Sequence, residues 1–333
     1  MDLLLIIRGL AALAVVIWHS DGYRAEFPPL VNVPGRTALW IFFGISGYVI
    51  AYGFVHERYK YTLSDLRDFY LNRFLRIYPL FIALSILAWA TMFVTTKVSP
   101  ITAWDLPAQL LAFQFNQNYI LNGVFWTLGI ELQFYLLAPI LAWPLARQGQ
   151  NYFFACIALY SLMVYWNQFA SSQLDWSFDG RNIISNLPHF FIGMIACRLV
   201  YSVKPNQILA ILSLAVACGV LGYTNWLYHK GSYWSVRGIL LVDLTIFLFI
   251  IAHACCQRKE ASKNIIYIGF TFLGTLSYGI YAWHTYLLTN ITWLSTHVFA
   301  LIGATIIAAY TSYQIIERPA LKLKRHHPEN HLH

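Results

Sequence analysis

The chain has 333 residues, of which 59% are hydrophobic, 17% aromatic and only 11% charged, with a formal net charge of +8. Soluble domains carry about 25% charged residues, so this composition excludes an ordinary water-soluble fold and points to an all-α, polytopic integral membrane bundle. The positive charge does not mark a nucleic-acid binder, because the lysines and arginines stand at the ends of apolar runs rather than along one stripe.

The apolar runs predict about ten membrane helices, over 4–22, 37–56, 78–96, 126–145, 152–169, 183–200, 207–224, 237–256, 274–291 and 297–316. The first carries R-G-L-A-A-L-A-V-V-I-W-H, from Arg8 to His19. Eleven helical steps of about 100° bring these two side chains to within about 20° of one face, about 16 Å apart along the axis. A charge at the bilayer centre costs at least about 2.5 kcal/mol, so the pair reads as a functional site facing protein or water. The run holds an arginine and no small-x-small cleavage site follows it, so it reads as a retained helix rather than a signal peptide.

The second run contains Ser46 in F-F-G-I-S-G-Y, where a small pair suits close helix packing as well as a substrate contact. The loop that follows contains N-R-F-L-R-I-Y-P, with Arg73 and Arg76 one turn apart before Pro79 opens the third span. Two guanidiniums at i and i+3 share a face and can grip one phosphate, although an ordinary basic anchor looks the same. The fourth run begins W-T-L-G-I-E-L-Q, placing Trp126, Glu131 and Gln133 at the start of an apolar helix. A carboxylate there needs a partner or a proton, and it can balance Arg8, orient His19, receive an acceptor hydroxyl or simply tie helices together.

Later runs are interrupted by His189, and by Ser277, Tyr278, Tyr281 and His284 in L-S-Y-G-I-Y-A-W-H. For both histidines a satisfied interfacial role stands beside a chemical one. Glu317 in I-I-E-R-P reads as the partner of a neighbouring arginine. His326, His327, His331 and His333 read as a solvated tail, which divides the chain into a membrane domain, 1–321, and a basic, histidine-rich tail, 322–333.

With a cytoplasmic N-terminus, Arg24, Arg36, Lys97, Arg181, Lys230 and Arg237 fall outside and the remaining 16 of the 22 basic residues inside, so both termini are expected in the cytoplasm. Trp104, Tyr119, Trp176, Trp226, Tyr228, Tyr233 and Trp234 gather near the outer interface, as an aromatic belt or a sugar-stacking platform would. The five cysteines have no metal-ligand spacing and no metal is expected. No phosphate loop, nucleophile elbow, zinc box or internal repeat stands out.

Taken in order, R-G-L-A-A-L-A-V-V-I-W-H, F-F-G-I-S-G-Y-V-I, N-R-F-L-R-I-Y-P, F-W-T-L-G-I-E-L-Q-F-Y-L, L-P-H-F-F-I-G-M, L-S-Y-G-I-Y-A-W-H and I-I-E-R-P resemble the integral-membrane acyltransferase-3 family over nearly the whole chain. Members of that family move acyl groups, commonly acetyl, onto extracytoplasmic sugars and other hydroxyl acceptors. The resemblance implies a catalytic His19, a required Arg8, and Arg73 and Arg76 at an acyl-CoA donor site to which Arg8 also belongs. It adds weight to Glu131 as a catalytic acid and to Ser46, and we expect Ser46, Trp126, Tyr281 and His284 to contact substrate. Two departures stand out: Leu5 and Leu132 occupy positions where relatives often carry acids.

The expectation is therefore an O-acyltransferase using acetyl-CoA or another acyl-CoA as co-substrate. Its partners would be a sugar or glycolipid acceptor of the cell envelope and the lipid bilayer, with the protein in the bacterial cytoplasmic (inner) membrane. The rival reading is a transporter or flippase that uses the same buried charges without CoA turnover.

Overall fold

The computed structural model describes residues 2–20, 33–96, 109, 121–147, 149–173, 181–230, 236–256 and 265–325. Trp104, Tyr119, Trp176, Tyr233, Trp234 and the tail histidines His326, His327, His331 and His333 lie outside the described residues. The described chain is all-helical: α1 (Leu3–His19), α2 (Gly35–Val55), α3 (Leu63–Thr96), α4 (Trp126–Ala146), α5 (Gln150–Gln173), α6 (Ile183–Val200), α7 (Gln207–His229), α8 (Val236–Cys255), α9 (Ile265–Asn290) and α10 (Val298–Ser312). A 3-10 turn at Thr292–Thr296 precedes α10, and a π turn at Tyr313–Glu317 joins it to the short α11 (Arg318–Lys322). The ten apolar runs fall on α1 to α10 in order, with residues 21 and 22 of the first outside the described residues and the last continuing into the π turn. Among the described residues eight helices are long and apolar enough to cross a membrane; α5, which carries the run over 152–169, is not one of them, and α1 is a shorter apolar helix of 17 residues. Large apolar side chains such as Ile140, Ile208, Ile265 and Ile307 are exposed on the bundle exterior, as hydrocarbon contact requires.

Helix starts follow capping chemistry. Asp2, Asn182 and Asn206 accept backbone N–H bonds at the openings of α1, α6 and α7, and Thr62 receives the N–H of Asp65 as α3 begins. One boundary differs from expectation. Arg73 and Arg76 lie not in a loop but within α3, which runs 34 residues straight through Pro79. Proline forfeits a backbone bond to residue 75, yet Phe69, Ile77, Leu80, Phe81 and Leu84 are all buried around it, and that packing outweighs the lost bond.

Two pairs of helices approach at glycine. A Cβ on Gly193 of α6 would collide with the carbonyl of Gly44 on α2, and one on Gly274 of α9 with the carbonyl of Leu5 on α1. Beside the first contact, Phe43, Phe190 and Phe134 stack with ring centroids 4.3 and 4.0 Å apart, joining α2, α6 and α4. The second contact sets α1 directly against α9, and those two helices carry His19 and His284.

Candidate active site

Two groups of polar side chains lie one above the other in the bundle, and α1 contributes to both. The first surrounds a cavity of about 340 Å³. Arg8 reaches it from α1, Arg58 from the turn after α2, Arg73 and Arg76 from α3, and Lys324 from the segment after α11. Among the described residues its lining contains no carboxylate. The turn that carries Arg58 is unusual, because Glu57 and Tyr61 both take positive φ values, of 57° and 62°. For such residues that conformation costs about 1 kcal/mol each.

Glu131 is close to these cations without lining the cavity. Its Oε1 accepts hydrogen bonds from the Tyr135 hydroxyl at 2.5 Å and the Ser46 hydroxyl at 3.2 Å. Arg76, Glu131, Tyr135 and Arg73 all act electrostatically on Arg8. The Arg73 guanidinium lies 5.8 Å from the Tyr135 ring centroid, so α1, α2, α3 and α4 meet in one electrostatic cluster. The structure therefore groups Glu131 with Arg8 and Ser46.

The second group centres on two histidines. The rings of His19 and His284 are 5.1 Å apart. His19 Nδ1 lies 2.9 Å from the Val15 carbonyl oxygen and His284 Nδ1 lies 2.6 Å from that of Tyr281. A carbonyl can only accept, so each Nδ1 carries a proton, and in the neutral tautomer the lone pair is at Nε2. His284 is fully buried, and among the described residues its Nε2 has no hydrogen-bond partner. The Tyr281 hydroxyl is 2.9 Å from that of Thr127, the residue after Trp126. Trp126 itself turns its ring toward Arg181, 5.9 Å from the guanidinium.

Sequence reading overlooked Asn122, which fastens this group through α9. Its amide donates to the Ala282 carbonyl at 3.0 Å and its oxygen accepts from Thr285 at 2.5 Å, pinning the turn of α9 that bears His284. An asparagine in a polar loop carries no distinguishing signal. Asp243 was also overlooked, although a lone acid inside L-L-V-D-L-T-I is a signal of the same kind as Glu131. Its carboxylate bonds His189 Nδ1 at 2.5 Å and the Tyr160 hydroxyl at 2.7 Å, while Trp40 stacks on the His189 ring at 4.2 Å. This buried network ties α2, α5, α6 and α8 and stands apart from both groups.

Glu317 departs from expectation. It is buried, yet neither carboxylate oxygen has a hydrogen-bond partner among the described residues. The adjacent Arg318 turns instead to Gln314, at 2.9 Å, and Arg76 acts on Glu317 only through its field.

Phe42 separates the two groups. Its ring is 5.9 Å from the Arg8 guanidinium on one side and 6.4 Å from the Tyr281 ring on the other, and Tyr281 touches His284 at 5.7 Å. Phe42, Ser46 and Val49 share one face of α2, and all three retain accessible surface while Ile41, Phe43, Ile45 and Ile50 are buried. Val49 lines the cationic cavity. That face runs from the cationic cavity past Ser46 to Phe42, which lies beside Tyr281.

A family model described as an acyltransferase domain matches residues 4–314. Among curated proteins, the peptidoglycan O-acetyltransferase OatA of Listeria monocytogenes is 24% identical over 355 residues, covering 95% of this chain and 55% of that protein. The O-acetyltransferase OatA of Staphylococcus aureus is 23% identical over 354 residues, with 95% and 56% covered. The chain thus spans about half the length of these relatives. No solved structure matches it.

Proposed function

The chain belongs to the acyltransferase-3 family of membrane proteins, and from that premise we propose that it is an acyl-CoA-dependent O-acetyltransferase that modifies a saccharide or glycolipid of the cell envelope. The observation that carries this reading is the succession of a five-cation cavity, the Phe42 face of α2, and the His19–His284 pair. The excess of basic residues on one side supports a cytoplasmic cation end, with the histidine end toward the far side. The names of the relatives favour acetyl as the acyl group and an envelope glycan as the acceptor.

In this mechanism Arg73 and Arg76 hold donor phosphates at the inner face and Arg8 takes the next position inward. Arg8, whose Cα is about 16 Å from that of His19 along the helix, draws the donor inward or stabilises negative charge as it develops on the thioester oxygen. The pantetheine arm passes Phe42. His19 Nε2 removes the proton from the acceptor hydroxyl as its oxygen attacks the thioester carbon. The carbon–sulfur bond breaks, the thiolate takes a proton from the imidazolium, and the products are the O-acyl ester and free CoA.

The test is acyl transfer in proteoliposomes supplied with labelled acetyl-CoA and an envelope glycan fraction. The expected result is a labelled glycan with stoichiometric free CoA, lost in His19→Ala with the protein still monodisperse. Movement of a saccharide without CoA release would establish a carrier instead.

A further inference from the structure

The segment after α11 is fastened across the cation cavity. The Asn72 side chain makes two opposed hydrogen bonds with the backbone of Arg325: its Nδ2 donates to the carbonyl at 3.1 Å and its Oδ1 accepts the N–H at 3.0 Å. Asn72 is itself buried, and its Nδ2 also donates to the Tyr59 hydroxyl at 3.2 Å. The Arg325 guanidinium meets Asp68 at 3.3 Å, one turn before Asn72 on α3. Residues separated by 253 positions are thereby locked together, and the side chain just before the fastening, Lys324, lines the cavity beside Arg8, Arg58, Arg73 and Arg76.

Five cations exceed what one phosphate monoester calls for, since two guanidiniums already match its oxygens. A 3′-phosphate together with a diphosphate carries about four negative charges, which suits a cavity of this composition. Clustering like charges without an acid in the lining is costly while the site is empty. The cost falls on the one cation that can shed its proton. Burial, then the fields of Arg76, Arg73, Arg58 and Arg8, push the Lys324 ammonium down from 10.5 to about 7.

We propose that residues 323–325 form a strap whose fastening by Asn72 and Asp68 places Lys324 as a phosphate-binding residue of the donor site, with Asn72 as its positioning residue. This rests on the reading that the cavity takes acyl-CoA. A polyanion entering the cavity restores the proton to Lys324, so donor binding takes up a proton above pH about 7. Among the described residues, the titratable groups facing Lys324 in the cavity besides the four arginines are Tyr59 and Tyr313.

The experiment is equilibrium binding of CoA and, separately, of pyrophosphate to the full chain in nanodiscs at pH 6.5 and 8.5. Wild-type affinity for CoA is expected to fall by up to about tenfold per pH unit. Lys324→Gln should bind about ten- to a hundredfold more weakly at pH 6.5 and lose the pH dependence. Lys324→Arg should recover the affinity and remain pH-independent. Asn72→Ala should weaken binding in the wild-type background and add nothing to Lys324→Gln. Wild-type-like CoA binding by a monodisperse Lys324→Gln overturns the strap, as does full additivity of the two changes. Lys324-dependent binding of pyrophosphate with no binding of CoA keeps the strap and overturns the acyl-CoA reading. Binding of neither probe overturns both.

Discussion

His19 and His284 face each other with their planes inclined by 48°, each anchored through Nδ1 to a carbonyl of its own helix. Two imidazoles so close cannot both be protonated without repulsion, and a proton arriving on one is stabilised by the neutral lone pair of the other. His284→Asn should lower turnover by about ten- to a hundredfold. His284→Lys, a fixed cation at the same place, should be more damaging and approach the loss of about 10³-fold or more expected for His19→Ala. Steady-state CoA release by the three variants, compared at equal folded protein, decides the order. Equal activity of His284→Asn and His284→Lys would remove the pair from the mechanism.

Glu131→Gln keeps an oxygen able to accept from Ser46 and Tyr135 but removes the negative charge beside Arg8. The protein should fold with a melting temperature close to wild type and lose activity. Ser46→Ala removes one neutral-to-charged hydrogen bond and should cost about 1.5 to 3 kcal/mol of local stability with a smaller effect on rate. Thermal unfolding followed alongside kinetics separates the charge from the bond.

Gly193→Ala should destabilise by more than about 2 kcal/mol, because the new methyl meets the Gly44 backbone rather than a flexible side chain. Gly219 offers the control, since a Cβ there meets nothing within 4 Å. Gly219→Ala should be neutral or stabilise α7 by up to about 1 kcal/mol. Loss of stability in both would point to a general intolerance of α6 and α7.

Asp243→Ala should cost about 3 to 5 kcal/mol, since it strands His189 beneath Trp40 with its charged partner gone. Because this network lies apart from the His19–His284 pair, protein that remains folded should retain CoA turnover. A selective loss of turnover at unchanged stability would instead join Asp243 to the chemistry.

Lys324 also sets a pH trend in the empty protein. Its amine holds a proton below about 7 when folded and up to 10.5 when unfolded. Between those values the unfolded chain binds the extra proton, so this group raises stability as pH increases and withdraws that contribution as pH falls through 7. Wild type should therefore melt below Lys324→Gln at pH 6, with the gap closing toward pH 10. A gap of constant size would remove the amine from the cause.

Much of the bundle was legible in the sequence because hydrocarbon demands uniform apolar runs, and any polar residue within them stands out at once. Arg8, His19, Glu131 and His284 were visible for that reason. Pro79 misled, because a proline reads locally as a break, whereas the buried aromatics around α3 decide the outcome from elsewhere in the chain. Arg58, Asn72 and Lys324 had no local signature. Each looks like an ordinary polar residue at a membrane boundary, and only the folding of residue 325 back onto residue 72 gives them a common purpose.

The tight seating of α9 on α1 through Gly274 also couples two residues that stand 265 positions apart, His19 and His284. Gly274 lies ten residues before His284 on its own helix, and a methyl group there would press on the Leu5 backbone and part the two helices. One bare Cα thus sets the spacing of a ring pair it never touches, so a change remote from both imidazoles can detune them.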